Sequence, residues 1–154
     1  MLSILLSSKQ ETEAFAATVA RLLRPGDSVF LTGPLGAGKT FFIRAAAREL
    51  GVSEPVTSPS FTMAQTYRGR MTIHHLDLYR LAGFSAADMS DFEPFFAADA
   101  ITFVEWPQLA QPFLEAPALM LEFEHVDDHR RRAVVSGRTS LIERLEKELA
   151  GAGD

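Results

Sequence analysis

The stretch TGPLGAGKT at 32–40 constrains the fold of this chain more than any other part of its sequence. Its glycines, lysine and second threonine fit the pattern G-x-x-x-x-G-K-[ST], which is the phosphate-binding loop, or P-loop. The preceding SVFLTG at 28–33 predicts a strand, and TFFIRAAAREL at 40–50 predicts a helix that ends at Gly51. Because a P-loop joins a strand to a helix, this context indicates a phosphate site more strongly than the pattern alone.

The residues of the loop suit an anion. The glycines let the backbone turn sharply and direct its N–H groups at phosphate oxygens, and the start of the next helix favours the same negative charge. We expect Lys39 to reach the β- and γ-phosphates and the Thr40 hydroxyl to bind Mg²⁺. The predicted phosphate-binding residues are Gly33, Pro34, Leu35, Gly36, Ala37, Gly38, Lys39 and Thr40.

The remaining sequence alternates between predicted strands and helices, which favours an α/β domain with a mixed sheet. Ser8 with Glu11, or Ser7 with Gln10, gives the first helix a capping box. We expect one domain over residues 1–150 and a short disordered tail at 151–154. Strands are predicted at 3–6, 61–67, 71–77, 101–106, 118–124 and 130–135, and further helices at 7–23, 84–99 and 140–150.

Composition excludes several classes of protein. The chain of 154 residues has a net charge of −5, so it has no overall field that would attract nucleic acid. It contains no cysteine, which excludes disulfides and thiolate metal sites. No stretch approaches the roughly 18 apolar residues of a membrane span, and the first residues lack the pattern of a signal peptide. We therefore expect a soluble cytoplasmic protein without a membrane partner.

A P-loop enzyme also needs a carboxylate near its metal, commonly where a neighbouring strand ends. Glu105 ends the apolar run ITFVE, and Asp77 ends the predicted strand MTIHHLD. Burying an acid is costly unless it is paired or binds a metal, so both are candidates for the site. An exposed acid at the end of a strand is the alternative for each of them.

Three further features have both a structural and a functional interpretation. His75 and Asp77 share a face of their strand, which would allow a polar pair near the nucleotide, although a histidine with an ordinary structural hydrogen bond is the favoured interpretation. Trp106 is the only tryptophan, and either core packing or a role in the site would explain it. HRRRAVV at 129–135 is either a solvated strand end or the source of an arginine that contacts a nucleotide or a partner.

Four stretches occur in the order and approximate spacing of a known family. They are GPLGAGKT at 33–40, TSPSFT at 57–62, HHLDLYRL at 74–81 and VEWPQ at 104–108. On these residues the chain resembles the TsaE family, formerly called YjeE, over nearly its whole length. The combination of DLYR with VEWP is the most specific part of the resemblance.

The resemblance implies an α/β, P-loop NTPase-like, three-layer fold with a mixed, mainly parallel sheet and added antiparallel hairpins. It implies a Mg²⁺-dependent ATPase of low intrinsic activity that is stimulated by its partners. In the family this subunit works with a TsaB–TsaD pair in making threonylcarbamoyladenosine on tRNA. The acidic charge is consistent with contact to tRNA only indirectly, through those partners.

The family also implies roles for residues of this chain. Thr40 and Glu105 would hold Mg²⁺, while Asp77 would position or deprotonate the attacking water and act with Lys39 in catalysis. Thr12 resembles a threonine near the adenine, and Arg130 is a weaker candidate for a nucleotide contact. The switch-like or partner-facing residues would be Ser58, Pro59, Ser60, Phe61, Thr62, Arg80 and Trp106.

The sequence departs from the family pattern at four positions. Pro34 replaces a usual aspartate, Phe41 a usual threonine, Ser60 the threonine of SPTF, and Asp91 a usual glycine. None of these changes removes a phosphate or metal ligand, so we expect activity to be retained.

Two other functions fit a P-loop of this kind. One is a small metabolite kinase, although residues 84–99 contain no arginine or lysine for the lid that such kinases use. The other is a non-catalytic module whose interactions depend on bound nucleotide. No guanine-reading motif such as N-K-x-D is present, which favours ATP over GTP.

Overall fold

The computed structural model describes residues 1–57, 63–79 and 90–152. Within these residues seven strands form one sheet. The strands are β1 Leu2–Leu6, β2 Ser28–Thr32, β3 Ala64–Arg68, β4 Thr72–Asp77, β5 Ala100–Glu105, β6 Leu119–His125 and β7 Arg131–Gly137, and the helices are α1 Lys9–Leu22, α2 Lys39–Glu49 and α3 Thr139–Ala152. No described helix combines the length and the apolar character that crossing a membrane requires.

The sheet is mixed, with its parallel part at the centre. Its spatial order is β1-β7-β6-β2-β5-β4-β3. Strand β2 pairs in parallel with β5 and β6, and β4 pairs in parallel with β5. The hairpins β3–β4 and β6–β7 and the pairing of β1 with β7 are antiparallel, so only β3 and β7 run against the other strands. The predicted mixed, mainly parallel sheet with added hairpins is confirmed.

The ends of the helices follow from local sequence signals. Of the two predicted capping boxes the structure uses the one that begins at Ser8, because Ser8 Oγ accepts from the Glu11 N–H at 3.1 Å. Helix α2 ends just before Gly51, whose φ of +93° is the left-handed conformation that commonly terminates a helix. Helix α3 reaches Ala152, so it includes the first two residues of the predicted tail, and the other two lie outside the described residues.

Each face of the sheet carries its own apolar cluster. On one face α1, α2 and α3 pack over side chains such as Leu31, with Phe42 of α2 fully buried. Burial of one such aromatic side chain contributes about 1.5–3 kcal/mol to stability. On the other face Phe30 packs with aromatic residues from the segments at 92–96 and 106–114. Helices, sheet and these segments make the three layers that the fold class predicts.

The segments of the second face are mostly short 3-10 helices. These are Glu93–Phe96, Pro107–Leu109 and Gln111–Phe113. The helix predicted at 84–99 is described only in part: residues 90–92 are α-helical and lead into the first of these 3-10 helices, whereas 84–89 lie outside the described residues. Prolines near the start of each 3-10 helix favour such tight turns over longer helices.

Candidate nucleotide and metal site

The P-loop connects β2 to α2 and has left-handed glycines at three positions. The φ angles of Gly33, Gly36 and Gly38 are +136°, +77° and +104°. A Cβ atom on Gly33 would lie 2.6 Å from the backbone oxygen of Phe123 in β6, whereas one on Gly36 or Gly38 would meet nothing within 4 Å. Gly33 therefore allows close packing against the sheet, and the other two border open space.

Two cavities lie against this loop and share Gly36, Gly38 and Phe41 in their walls. The first, the carboxylate cavity, has a volume of about 480 Å³ and also contains Lys39, Thr40, Asp77, Tyr79, Glu105 and Trp106. The second, the hairpin cavity, has a volume of about 630 Å³ and lies between the start of α1 and the β6–β7 turn. An elongated ligand placed along the P-loop would contact both cavities.

Thr40 and Glu105 meet at the floor of the carboxylate cavity. The Thr40 hydroxyl lies 3.0 Å from Glu105 Oε2 and 3.2 Å from Oε1. Glu105 is only 3% exposed although it ends an apolar strand. A second bond to its carboxylate comes from His75 of β4, whose Nε2 is 2.6 Å from Oε2. The structure thus brings the two predicted metal-binding residues together, and their metal role stays a prediction.

Asp77 ends the strand next to Glu105. The two residues are Cα partners in the parallel pairing of β4 with β5, so their side chains project from the same edge of the sheet. Asp77 is 8% exposed, and its Oδ1 accepts from the backbone N–H of Tyr79 at 3.0 Å. A carboxylate at this position in the cavity can accept a hydrogen bond or a proton from a bound group.

Lys39 is the cation of this cavity among the residues the structure describes. Its Nζ donates to the Gly33 carbonyl at 2.5 Å and lies 3.5 Å from the centroid of the Trp106 ring. Burial lowers the pKa of Lys39, and the negative charges of Glu105 and Asp77 oppose that shift. The aromatic face and the two carboxylates thus favour the ammonium, and they only partly offset the larger effect of burial on its pKa.

Trp106 takes part both in packing and in the site. Its backbone is left-handed, with φ of +57°, which is rare for a bulky residue and fixes the ring at the turn after β5. The ring lies 4.9 Å from that of Tyr79 and packs against the second apolar cluster. Both interpretations of this tryptophan, core packing and a position in the site, therefore apply.

Of the two candidates for nucleoside contacts, Thr12 lines the hairpin cavity and Arg130 does not. The Thr12 hydroxyl donates to the Ser8 carbonyl at 3.3 Å. Arg130 is turned to Asp127, with 2.7 Å between Nε and Oδ2. The hydrogen bond from the His129 backbone N–H, together with those from Arg130, lowers the Asp127 pKa to about 2. Arg131, rather than Arg130, is the arginine that lines this cavity among the described residues.

The remaining predicted residues belong to the P-loop and to the switch-like set. Leu35 is 64% exposed at the tip of the P-loop, while Ala37 is buried beneath it. Several switch-like or partner-facing residues lie outside the part of the chain that the structure describes. They are Ser58, Pro59, Ser60, Phe61, Thr62 and Arg80.

The contact that sequence reasoning missed is the one from His75 to Glu105. The face shared by His75 and Asp77 suggested a pair between them, whereas the histidine bonds across to the next strand. His74 points the other way and shares a 2.9 Å hydrogen bond with Thr66, while burial lowers its pKa against the opposing charge of Asp99. The sequence signal that could have indicated this contact was a polar residue in the middle of a strand that is otherwise buried.

The side-chain donors of this site fit Mg²⁺, which is coordinated partly by phosphate oxygens and water, better than they fit a metal that is coordinated by protein side chains alone. Among the described residues, no group of three or more His, Asp or Glu side chains converges on one point. One carboxylate and one hydroxyl are the set that Mg²⁺ uses when phosphate oxygens and water complete its shell. The Thr40 hydrogen is directed at Glu105, which leaves the lone pairs of the hydroxyl oxygen for a cation.

Comparison with known proteins decides the family. The family model described as threonylcarbamoyl adenosine biosynthesis protein TsaE matches residues 6–134. This chain belongs to the TsaE family. The resemblance noted on the four sequence stretches is thereby confirmed.

Individual relatives agree with this assignment over most of their length. The chain is 34% identical to the TsaE protein of Rickettsia felis over 148 residues, which cover 93% of this chain and 86% of the relative. It is 34% identical to that of Treponema pallidum over 131 residues, covering 84% and 96% of the two chains. All of these relatives carry the name tRNA threonylcarbamoyladenosine biosynthesis protein TsaE.

The fold agrees with a solved TsaE-like structure. The crystal structure of YdiB from Bacillus subtilis superposes with a TM-score of 0.80 at 28% sequence identity, covering 99% of this chain and 96% of the other. Membership of TsaE and the α/β fold therefore rest on separate comparisons, one of sequence and one of structure.

Proposed function

We propose that this chain is the ATP-binding and ATP-hydrolysing subunit for threonylcarbamoyladenosine modification of tRNA. The observation that carries the proposal is the Thr40–Glu105 contact at 3.0 Å, in a cavity that also holds Lys39 and Asp77. These are the groups that a P-loop enzyme needs for phosphate, metal and water. The names of its TsaE relatives supply the pathway.

The P-loop residues are assigned to the phosphates of ATP. Backbone N–H groups of the loop and the start of α2 hold the anion, and Lys39 supplies the positive charge at the β- and γ-phosphates. Thr40 and Glu105 would hold Mg²⁺, and the bound ion would supply positive charge to the phosphate oxygens. Asp77 positions the attacking water or accepts its proton, since its carboxylate belongs to the same cavity.

The nucleoside is assigned to the hairpin cavity. Its volume of about 630 Å³ is large enough for a base and a sugar, and it shares Gly36 and Gly38 with the carboxylate cavity. Thr12 and the β6–β7 turn form its walls, with Arg130 and Asp127 maintaining the shape of that turn. Arg130 thus acts on the nucleotide indirectly in this proposal.

The physiological role is to activate or reset a TsaB–TsaD-type complex in the cytoplasm. Among the described residues of the carboxylate cavity Lys39 is the one cation, so a second charge for the transition state has to come from Arg80 or from a partner. The net charge of −5 makes direct binding of tRNA over a broad surface unfavourable. Contact with tRNA is therefore assigned to the partners.

The proposal is tested by measuring phosphate release from ATP together with ADP affinity. We expect slow release that requires Mg²⁺ and stops in EDTA. Lys39→Ala should weaken ADP binding because it removes the charge at the phosphates, and Lys147→Ala on the distant helix α3 is the matched control. ADP formation that depends on an added metabolite would indicate the kinase instead, and nucleotide binding without phosphate release would indicate the non-catalytic module.

A further inference from the structure

His75 is a buried side chain whose bonds the proposed reaction does not yet use. Its exposed fraction is 0%, and Nε2 lies 2.6 Å from Glu105 Oε2. Nδ1 has no hydrogen-bond partner among the described residues. Because an ionised carboxylate only accepts hydrogen bonds, Nε2 carries the hydrogen and donates it to Glu105.

The two oxygens of Glu105 are not equivalent as a result. Oε2 accepts from His75 and lies 3.0 Å from the Thr40 hydroxyl. Among the residues that the structure describes, Oε1 has only the longer 3.2 Å approach of that same hydroxyl, which has a single hydrogen to share. Oε1 therefore keeps more of its lone-pair capacity, and it belongs to the side chain that lines the carboxylate cavity.

We propose that His75 is a positioning residue that holds the Glu105 carboxylate so that Oε1 is the oxygen offered to Mg²⁺. The inference rests on the proposed metal role of Glu105. Among the described residues, the His75 bond and the Thr40 hydroxyl are the two side-chain contacts that fix the orientation of the Glu105 carboxylate. Without the His75 bond the carboxylate keeps only the contact with Thr40, and partners that orient a metal-binding group in this way commonly tune metal affinity.

The test replaces His75 with one of two amide side chains, glutamine or asparagine, which differ in length. In His75→Gln the amide nitrogen is as many bonds from Cα as Nε2, so it can still donate to Glu105. In His75→Asn it is one bond shorter and cannot. The neighbouring His74→Asn is the matched control, because His74 bonds Thr66 on the opposite face of the sheet. His75→Leu replaces His75→Asn if the latter does not fold.

The Kd for ADP is measured by calorimetry at fixed Mg²⁺ and again in EDTA, with melting temperatures as a check of folding. We expect His75→Asn to raise the Kd in Mg²⁺ by about 10–100-fold and to leave the Kd in EDTA unchanged. His75→Gln and His74→Asn should behave as the wild type.

The role of His75 is overturned if all variants respond to Mg²⁺ as the wild type does, or if His75→Asn weakens binding equally with and without the metal. It is also overturned if His75→Gln fails to rescue. A wild-type protein that binds ADP without responding to Mg²⁺ would instead refute the metal role of Glu105, and the role of His75 with it.

Discussion

At the scale of single residues, the surroundings of Lys39 affect the protonation of its amine in two opposing ways. Burial disfavours the ammonium and lowers its pKa, while Glu105 and Asp77 favour the charged form. The Gly33 carbonyl and the Trp106 ring add a hydrogen bond and a cation–π contact. The lysine is thus positioned by the backbone of its own loop and by the Trp106 ring.

Asp77 allows binding to be separated from hydrolysis. The Asp77→Asn variant keeps an oxygen that can accept from the Tyr79 N–H but loses the negative charge. If Asp77 assists the attacking water, phosphate release should fall by about 10²–10⁴-fold. The Kd for ADP should stay close to the wild-type value at neutral pH, where Lys39 still has Glu105 beside it.

Steady-state phosphate release and calorimetric ADP binding, on the same preparations with partners present, check this expectation. Glu122→Gln on the exposed side of β6 serves as a control for the loss of one carboxylate. Equal turnover in the wild type and the Asp77 variant would rule out the assignment.

At the scale of elements, the glycines of the P-loop have different tasks. A Cβ on Gly33 would lie 2.6 Å from the Phe123 oxygen, so Gly33→Ala combines left-handed strain with a clash against β6. Gly36→Ala has the strain alone, because a Cβ there meets nothing within 4 Å. The left-handed conformation costs about 1–2 kcal/mol, or a melting temperature lower by roughly 2–8 °C for a domain of this size.

We therefore expect Gly33→Ala to lower the melting temperature more than Gly36→Ala does. Gly36→Ala should instead weaken ADP binding, since Gly36 forms part of the wall of both cavities. Thermal unfolding and ADP titration of both variants decide the matter. A Gly33 variant as stable as the Gly36 variant would contradict the packing argument.

The same elements show what the sequence can predict. The strand, loop and helix around the P-loop follow from local signals, and both hairpins follow from alternating residues around short polar turns. That Thr40 and Glu105 lie close could be expected, because parallel strands end at one edge of the sheet. The P-loop elements and the hairpins depend on short-range pattern, which a single sequence carries, whereas the Thr40–Glu105 contact follows from this general rule of parallel sheets.

Other features depend on pairing between distant segments. The bond from His75 to Glu105 needs the register that places Asp77 opposite Glu105, and no local pattern encodes which strands become neighbours. The edge position of β1 beside β7 has the same origin. Arg130 was singled out from a run of three arginines, but the turn at Asp127 determines which of them faces the cavity.

At the scale of the whole molecule, the P-loop end of the sheet is the surface where a partner would control hydrolysis. The carboxylate cavity opens there, with Tyr79 in its wall. The predicted switch-like residues 58–62 and Arg80 lie outside the described residues. A partner can supply a cation to the γ-phosphate or order the segment at 58–62 around it. Both routes require binding at this end of the protein.

We expect a purified TsaB–TsaD pair to accelerate phosphate release by this protein, by up to about 10³–10⁵-fold if it supplies a cation in trans. Release is measured at saturating ATP and fixed Mg²⁺, with and without the pair.

The Arg80→Ala variant distinguishes a cation supplied by the partner from ordering of the chain's own residues. A cation supplied by the partner should still accelerate the variant strongly, whereas ordering of the chain's own Arg80 and nearby residues should be lost with it. Glu143→Ala on α3 is the control for a change far from the P-loop. An unchanged rate together with no detectable complex would refute the partner role and favour the kinase.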